Sequence, residues 1–303
     1  MRNLLLLFLV ISFFSCKKDP VGTSTSKLNF QYLFDENQVR LNNIGQPATI
    51  PVGNAAQTPD FHLLSVHYIE LVPTQWTPYG DGFVVYKGPE VTVGGAKAID
   101  FDNNIVEGEG KIFKTFDIKD VPPGTYTYIR ASVAYQNYDV QFNIRNVPVL
   151  GDLLNQKGRV ASFLGYNTFI NDVTPNTMTL PVNAAKKQGF WAFETALTPP
   201  YDAYNQLYSG EAPEGATTVV NPLAGISDIP AGSCVITGRF ATPLVITGDE
   251  AQDITVTMAF SSNNSFEWID YNGNGQLDLD ASNPAATDKI VDMGLRGMIP
   301  EWE

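Results

Sequence analysis

Ile254, Val256, Met258 and Phe260 alternate with Thr255, Thr257 and Ala259. A repeat of two buries one face of a strand, whereas a helix needs a period of 3.6. The same alternation sets Leu28, Phe30, Tyr32 and Phe34 against Asn29, Gln31 and Leu33. Further β-rich runs cover residues 61–72, 83–86, 125–135, 159–170, 190–193 and 234–246. Turn signals separate them: Val121-Pro122-Pro123-Gly124, Gly94-Gly95, Ile229-Pro230-Ala231-Gly232 and Asn272-Gly273-Asn274-Gly275. Many short strands and frequent turns predict an all-β chain, an antiparallel β-sandwich with little helix. Residues 28–303, in a chain that is 44% hydrophobic, suffice for one large core or two modest ones. One elongated domain is expected, with a subdivision near residues 149–158 as the alternative. A single helix is predicted over 198–210. Thr198 caps it, Pro199 and Pro200 enter its first turn and Gly210 stops it, which sets Tyr201, Tyr204 and Tyr208 on one face.

The N-terminus has a different logic. Arg2 precedes an apolar run, Leu4 to Phe14, broken only by Ser12, and Ser15-Cys16-Lys17-Lys18-Asp19-Pro20 follows. One positive charge before a short apolar core is the build of a secretory signal, here residues 1–15. A membrane span takes about 20 apolar residues, more than this run supplies. A small residue before cysteine at the end of such a run resembles the lipobox of bacterial lipoproteins of the Bacteroidota type. The resemblance implies cleavage before Cys16 and acylation of Cys16, palmitate among the chains, and Lys17 after it implies sorting to the outer membrane with the leaflet left open. Residues 16–27 then read as a flexible tether. A formal net charge of −13 without a basic cluster excludes nucleic-acid binding. With Cys16 committed to lipid, Cys234 has no disulfide partner and reads as a buried inert thiol in a strand.

One motif carries metal chemistry. Asp270, Asn272 and Asn274 stand at loop positions 1, 3 and 5, Gly275 at 6, Gln276 at 7 and Asp278 at 9. This is the opening of the D-x-[DN]-x-[DN]-G calcium loop, in which alternate residues of a tight turn aim hard oxygens at one ion. Gln276 would contribute its backbone carbonyl. Position 12, where an EF-hand has a bidentate Glu, is Ala281. Asp280 or an acid from elsewhere is expected to substitute. The competing reading is a plain hairpin turn, because Asn-Gly is the leading residue pair for tight turns and occurs here twice. A structural Ca2+ is the expectation. The second acidic run, Asp100-Phe101-Asp102-Asn103-Asn104 with Glu107 and Glu109, reads as a solvated loop.

Catalytic signatures are missing: there is no G-x-S-x-G elbow, H-E-x-x-H, phosphate loop or dinucleotide fingerprint. Strict alternation sends His62 with Leu64 and Val66 to one face, and His67 with Phe61 and Ile69 to the other, unless a bulge intervenes. The order Leu28–Phe34, His67-Tyr68-Ile69-Glu70-Leu71, Val121-Pro122-Pro123-Gly124-Thr125-Tyr126, Gly189-Phe190-Trp191, then residues 245–259 is similar to the MbnP-like family. The resemblance implies a β-sandwich associated with copper and methanobactin. The family's copper site uses histidines, and none lies in the C-terminal half here. A non-catalytic envelope lipoprotein is therefore expected, calcium-braced and binding an extracytoplasmic ligand or protein at its loops. The alternatives are a surface glycan binder that stacks sugars on Trp76, Trp191 or the Tyr201–Tyr208 stripe, and an enzyme acting on extracellular polymer.

Overall fold

The computed structural model describes residues 25–93, 95–212 and 233–303, so Cys16 and the apolar run before it lie outside the described residues. At 57% strand the chain is all-β. Among the described residues each helical element is a 3-10 turn of three residues. The central sheet runs β14 (Leu207–Gly210), β13 (Trp191–Ala196), β10 (Gly151–Phe163), β9 (Gly124–Val147), β3 (Asp60–Val72) and β4 (Phe83–Lys87). On it, β15 (Cys234–Ile246) and β18 (Asp278–Asp280) pair with β9, and β7 (Val106–Glu107) pairs with β3. A second sheet runs β20 (Met298–Trp302), β16 (Ile254–Ser261), β1 (Lys27–Asp35), β8 (Ile112–Asp117). A third runs β12 (Leu180–Lys187), β11 (Asn167–Val173), β6 (Ala98–Asp100), β5 (Glu90–Val91), and a fourth β19 (Lys289–Met293), β17 (Phe266–Ile269), β2 (Asn54–Gln57).

Three cores form against the central sheet. In the first, Leu28, Phe30 and Tyr32 of β1 and Ile254, Val256, Met258 and Phe260 of β16 meet Val66, Ile69, Ile129, Ala131, Val133 and Ile236. This is the sandwich that the alternation predicts, with Thr255 and Thr257 on the less buried face of β16. The second core joins Tyr138, Val140 and Phe142 of β9 to Phe266 and Trp268 of β17. The third joins Phe163 and Ala192 to Ile170 and Val173 of β11.

One strand serves the first two cores because its phase flips. Odd-numbered residues of β9 (Ile129, Ala131, Val133) face the first core, and even-numbered ones (Tyr138, Val140, Phe142) the second. Val133 pairs with Val66 and Tyr135 with Ser65, which leaves Ala134 as an extra residue. Its carbonyl instead accepts the N–H groups of Leu164 and Gly165. An inserted residue moves every later side chain to the opposite face. The two histidines are extra residues of the same kind on β3, His62 between Phe61 and Leu63 and His67 between Val66 and Tyr68. The simple face assignment fails for that reason: Phe61, Leu64, Val66 and Ile69 all reach the first core.

Two further expectations are corrected. Residues 198–210 do not form a helix. The Pro199-Pro200 bond is cis, a 3-10 turn spans Asp202–Tyr204, and Asn205 is extended, its Oδ1 accepting the Leu197 N–H at 2.7 Å. The chain then pairs as β14 with β13, where Gly210 lies against the Trp191 ring with no room for a Cβ. Tyr201 packs into the second core while Tyr204 and Tyr208 are exposed, so no tyrosine stripe exists. The antiparallel sandwich is found as expected, with three parallel pairings within it, β1–β16, β6–β11 and β18–β9. The tether stops short of residue 27, since Lys27 begins β1 and Ser26 is buried with its hydroxyl on the Glu250 carbonyl. Residues 149–158 lie in the β9–β10 hairpin. The acidic run at 100–109 is partly structured, its Glu109 accepting the Phe34 N–H at 2.9 Å.

Candidate functional site

The 270–278 loop is a tight, doubly glycine-turned connection between β17 of the fourth sheet and β18 of the central one, so it is not a β-hairpin. Gly273 and Gly275 have φ of +71° and +73°, a region that side-chain-bearing residues rarely adopt. Asp270 accepts the Gly273 and Gly275 N–H groups at 2.8 and 2.7 Å. Asn272 and Asn274 each donate a side-chain N–H to Asp278 Oδ2 at 2.8 Å. Asn272 and Asn274 therefore gather on Asp278 through their N–H groups, while Asp270 holds the backbone of the turn.

Gln276 and Asp280 do not join them with their side chains. Gln276 Oε1 turns to Asn143 and Arg145 of β9. Asp280 accepts from Ser282, Asn283 and Asn146, so it holds the following turn instead of closing the ring. The acid that closes it is Asp288. Its carboxylate accepts the Tyr271 N–H at 3.1 Å and the Asp278 N–H at 2.8 Å, bridging the start and end of the loop. Nothing in the local pattern marks Asp288, which is brought back by the 3-10 turn at Pro284–Ala286.

The electrostatics pull in two directions. Burial opposes the charge of Asp278, but hydrogen bonds from Arg145, Asn143, Asn272 and Asn274 overcome it and hold the carboxyl at about 2. Burial raises the Asp288 carboxyl, and the charges of Asp270 and Asp278 push it the same way. Asp278 is paired with one guanidinium, Arg145 Nε at 2.8 Å, and the Asp270 and Asp278 charges act on Asp288 from farther off. The residue types are those calcium prefers, but Asn272 and Asn274 turn their Oδ1 atoms to the Asn274 and Gln276 N–H groups and Arg145 holds Asp278.

The loop also builds a wall. Leu277, Leu279 and Asp280 line a cavity of about 790 Å³ lying between the first and second cores. Val140, Phe142, Val160 and Phe193 form one side, Ile290, Val291 and Met293 another, and the Trp191 ring a third. Ala212 and Cys234, on either side of residues 213–232, are also in the lining. Its polar points are few. Gln136 is fully buried, its amide donating to the Met293 carbonyl, and its Oε1 has no partner. Asp292 pairs with Arg296 at 2.7 Å, and burial raises its carboxyl. Cys234 is buried and its thiol is pushed up to about 12, which leaves it inert. Of the aromatics considered for sugar stacking, Trp76 is exposed in the β3–β4 connection while Trp191 and Tyr208 line the cavity. Periodicity and spacing gave no sign of this cavity, because it arises where a curled sheet leaves two cores unjoined. Comparison with protein-family models, curated proteins and solved structures finds no match for the chain.

Proposed function

We propose that this chain is a lipid-anchored, non-catalytic binding protein of the bacterial envelope, acylated at Cys16, whose cavity takes an apolar ligand carrying a hydrogen-bond donor. The cavity carries the reading. About 790 Å³ walled by aliphatic and aromatic side chains is the size and lining of a small-molecule site. Such walls exclude sugars, whose hydroxyls would lose their water partners without replacement. The acceptors at Gln136 and Asp292 favour an amine or hydroxyl on the ligand. Calcium at Asp270, Asn272, Asn274, Asp278 and Asp288 would fix the loop that delivers Leu277 and Leu279 to the wall.

Titration with N-phenyl-1-naphthylamine, an uncharged apolar fluorophore, tests the site. The intact chain should give saturable enhancement. Val291→Trp, which fills the cavity from its more exposed side, should weaken binding at least tenfold. No enhancement in the wild type overturns the reading. So does enhancement that appears only after protease cuts residues 213–232, which would assign the cavity to the chain's own segment.

A further inference from the structure

A second cluster lies on the central sheet, away from the loop and the cavity wall. Asp60 of β3, Asp139 of β9 and Arg159 of β10 occupy directly paired positions across three neighbouring strands. Arg159 grips Asp139 with two hydrogen bonds, at 2.6 and 2.8 Å. Asp60 stands on the other side of Asp139, a like charge opposite a like charge, an arrangement that destabilises a sheet unless something lies between. The bulge at His62 brings an imidazole into this gap. Bulges re-aim side chains in this way and gather at functional sites.

Two observations converge on a ligand. One donor atom each from Asp60, His62 and Asp139 falls within 4.8 Å of the others, and among the described residues this is the only set of three or more His, Cys, Asp or Glu side chains that does so. His62 Nε2 is shut from water and faces Asp139 Oδ2 alone, at 3.0 Å. Two atoms bound to one metal at about 2.1 Å sit roughly 3.0–3.4 Å apart with lone pairs aimed at the ion and not at each other.

We propose that Asp60, His62 and Asp139 form a three-ligand site for a divalent transition ion of the zinc class. One imidazole nitrogen disfavours calcium and magnesium, which prefer oxygen alone, and suits zinc. With His62 neutral, the ligands and Arg159 carry a formal charge of −1, which a divalent ion turns to +1. Asp60 is exposed, which leaves a fourth position open to solvent. His67, the other histidine, is buried against Glu90 and Tyr166 and takes no part.

Calorimetric titration of zinc into the chain, expressed without a histidine tag and stripped with chelator, tests the site. The wild type should take up one equivalent. His62→Ala and Asp60→Asn should each bind at least tenfold more weakly with unchanged melting in chelator. Asp278→Asn should bind like the wild type, which separates this site from the loop. Cobalt should broaden the His62 ring resonances ahead of those of His67. Absence of saturable uptake, or wild-type affinity in His62→Ala, overturns the proposal and leaves an Arg159–Asp139–His62 polar network.

Discussion

Asp278 is held by side chains from two distant segments, Asn143 and Arg145 on β9 and Asn272 and Asn274 in its own loop. Its side chain is 3% exposed, so these bonds act with little screening. The folded-state carboxyl lies at about 2 against an ordinary 3.8. A depressed acid contributes stability above its unfolded value and loses it as pH falls through the folded one. The expected contribution, on the order of 2 kcal/mol, is present above pH 4 and disappears between roughly pH 4 and pH 2. In chelator, Asp278→Asn should be less stable than the wild type at pH 6, and the gap should close by pH 2. Denaturant melts at both pH values measure it. A gap that persists at pH 2 would mean that the substitution disturbs packing and not charge.

At the scale of the element, the loop and β18 act as one piece, since β18 adds to β9 in parallel and Asp288 ties both ends. An ion that binds only the folded loop stabilises it by mass action. With a dissociation constant near 10⁻⁴ M, millimolar calcium should add roughly 1.4 kcal/mol and raise the melting temperature by about 2 °C. The double change Asp270→Asn and Asp278→Asn should abolish that shift, and Arg145→Ala should enlarge it by removing the competing cation. Equal shifts in wild type and double variant would leave a plain turn between two sheets. How legible these elements were follows from their range. The alternation at Ile254–Phe260 is local and is found as read, and the local Asx spacing at Asp270–Asp278 marks the tight turn. Asp288 was not legible because its role depends on a turn that returns the chain across ten residues. The His62, His67 and Ala134 bulges were not legible either, since each is defined by a partner strand. The helix failed at 198–210 because pairing with β13 and the Asn205 side chain outweigh a weak local preference.

For the whole molecule, the proposed membrane attachment has to hold a strongly acidic protein. A formal net charge of −13 repels anionic head groups, and no basic cluster offsets it. Among the described residues no helix is long and apolar enough to cross a bilayer. The proposed attachment is therefore carried by the acyl chains at Cys16, and it should behave as hydrophobic and not as electrostatic. Each buried methylene contributes about 0.8 kcal/mol, so several chains hold where one does not. Expressed in a bacterium that processes lipoproteins, the wild type should incorporate labelled palmitate, resist release by molar salt and partition into the detergent phase. Cys16→Ala should lose the label and move to the aqueous phase. Its folded part should melt unchanged, because the described fold begins ten residues later, with the buried Ser26 and with Lys27 paired to Asp117. Release of the wild type by salt alone would point to a protein partner at the membrane, and an unlabelled but retained Cys16→Ala would exclude lipid as the anchor.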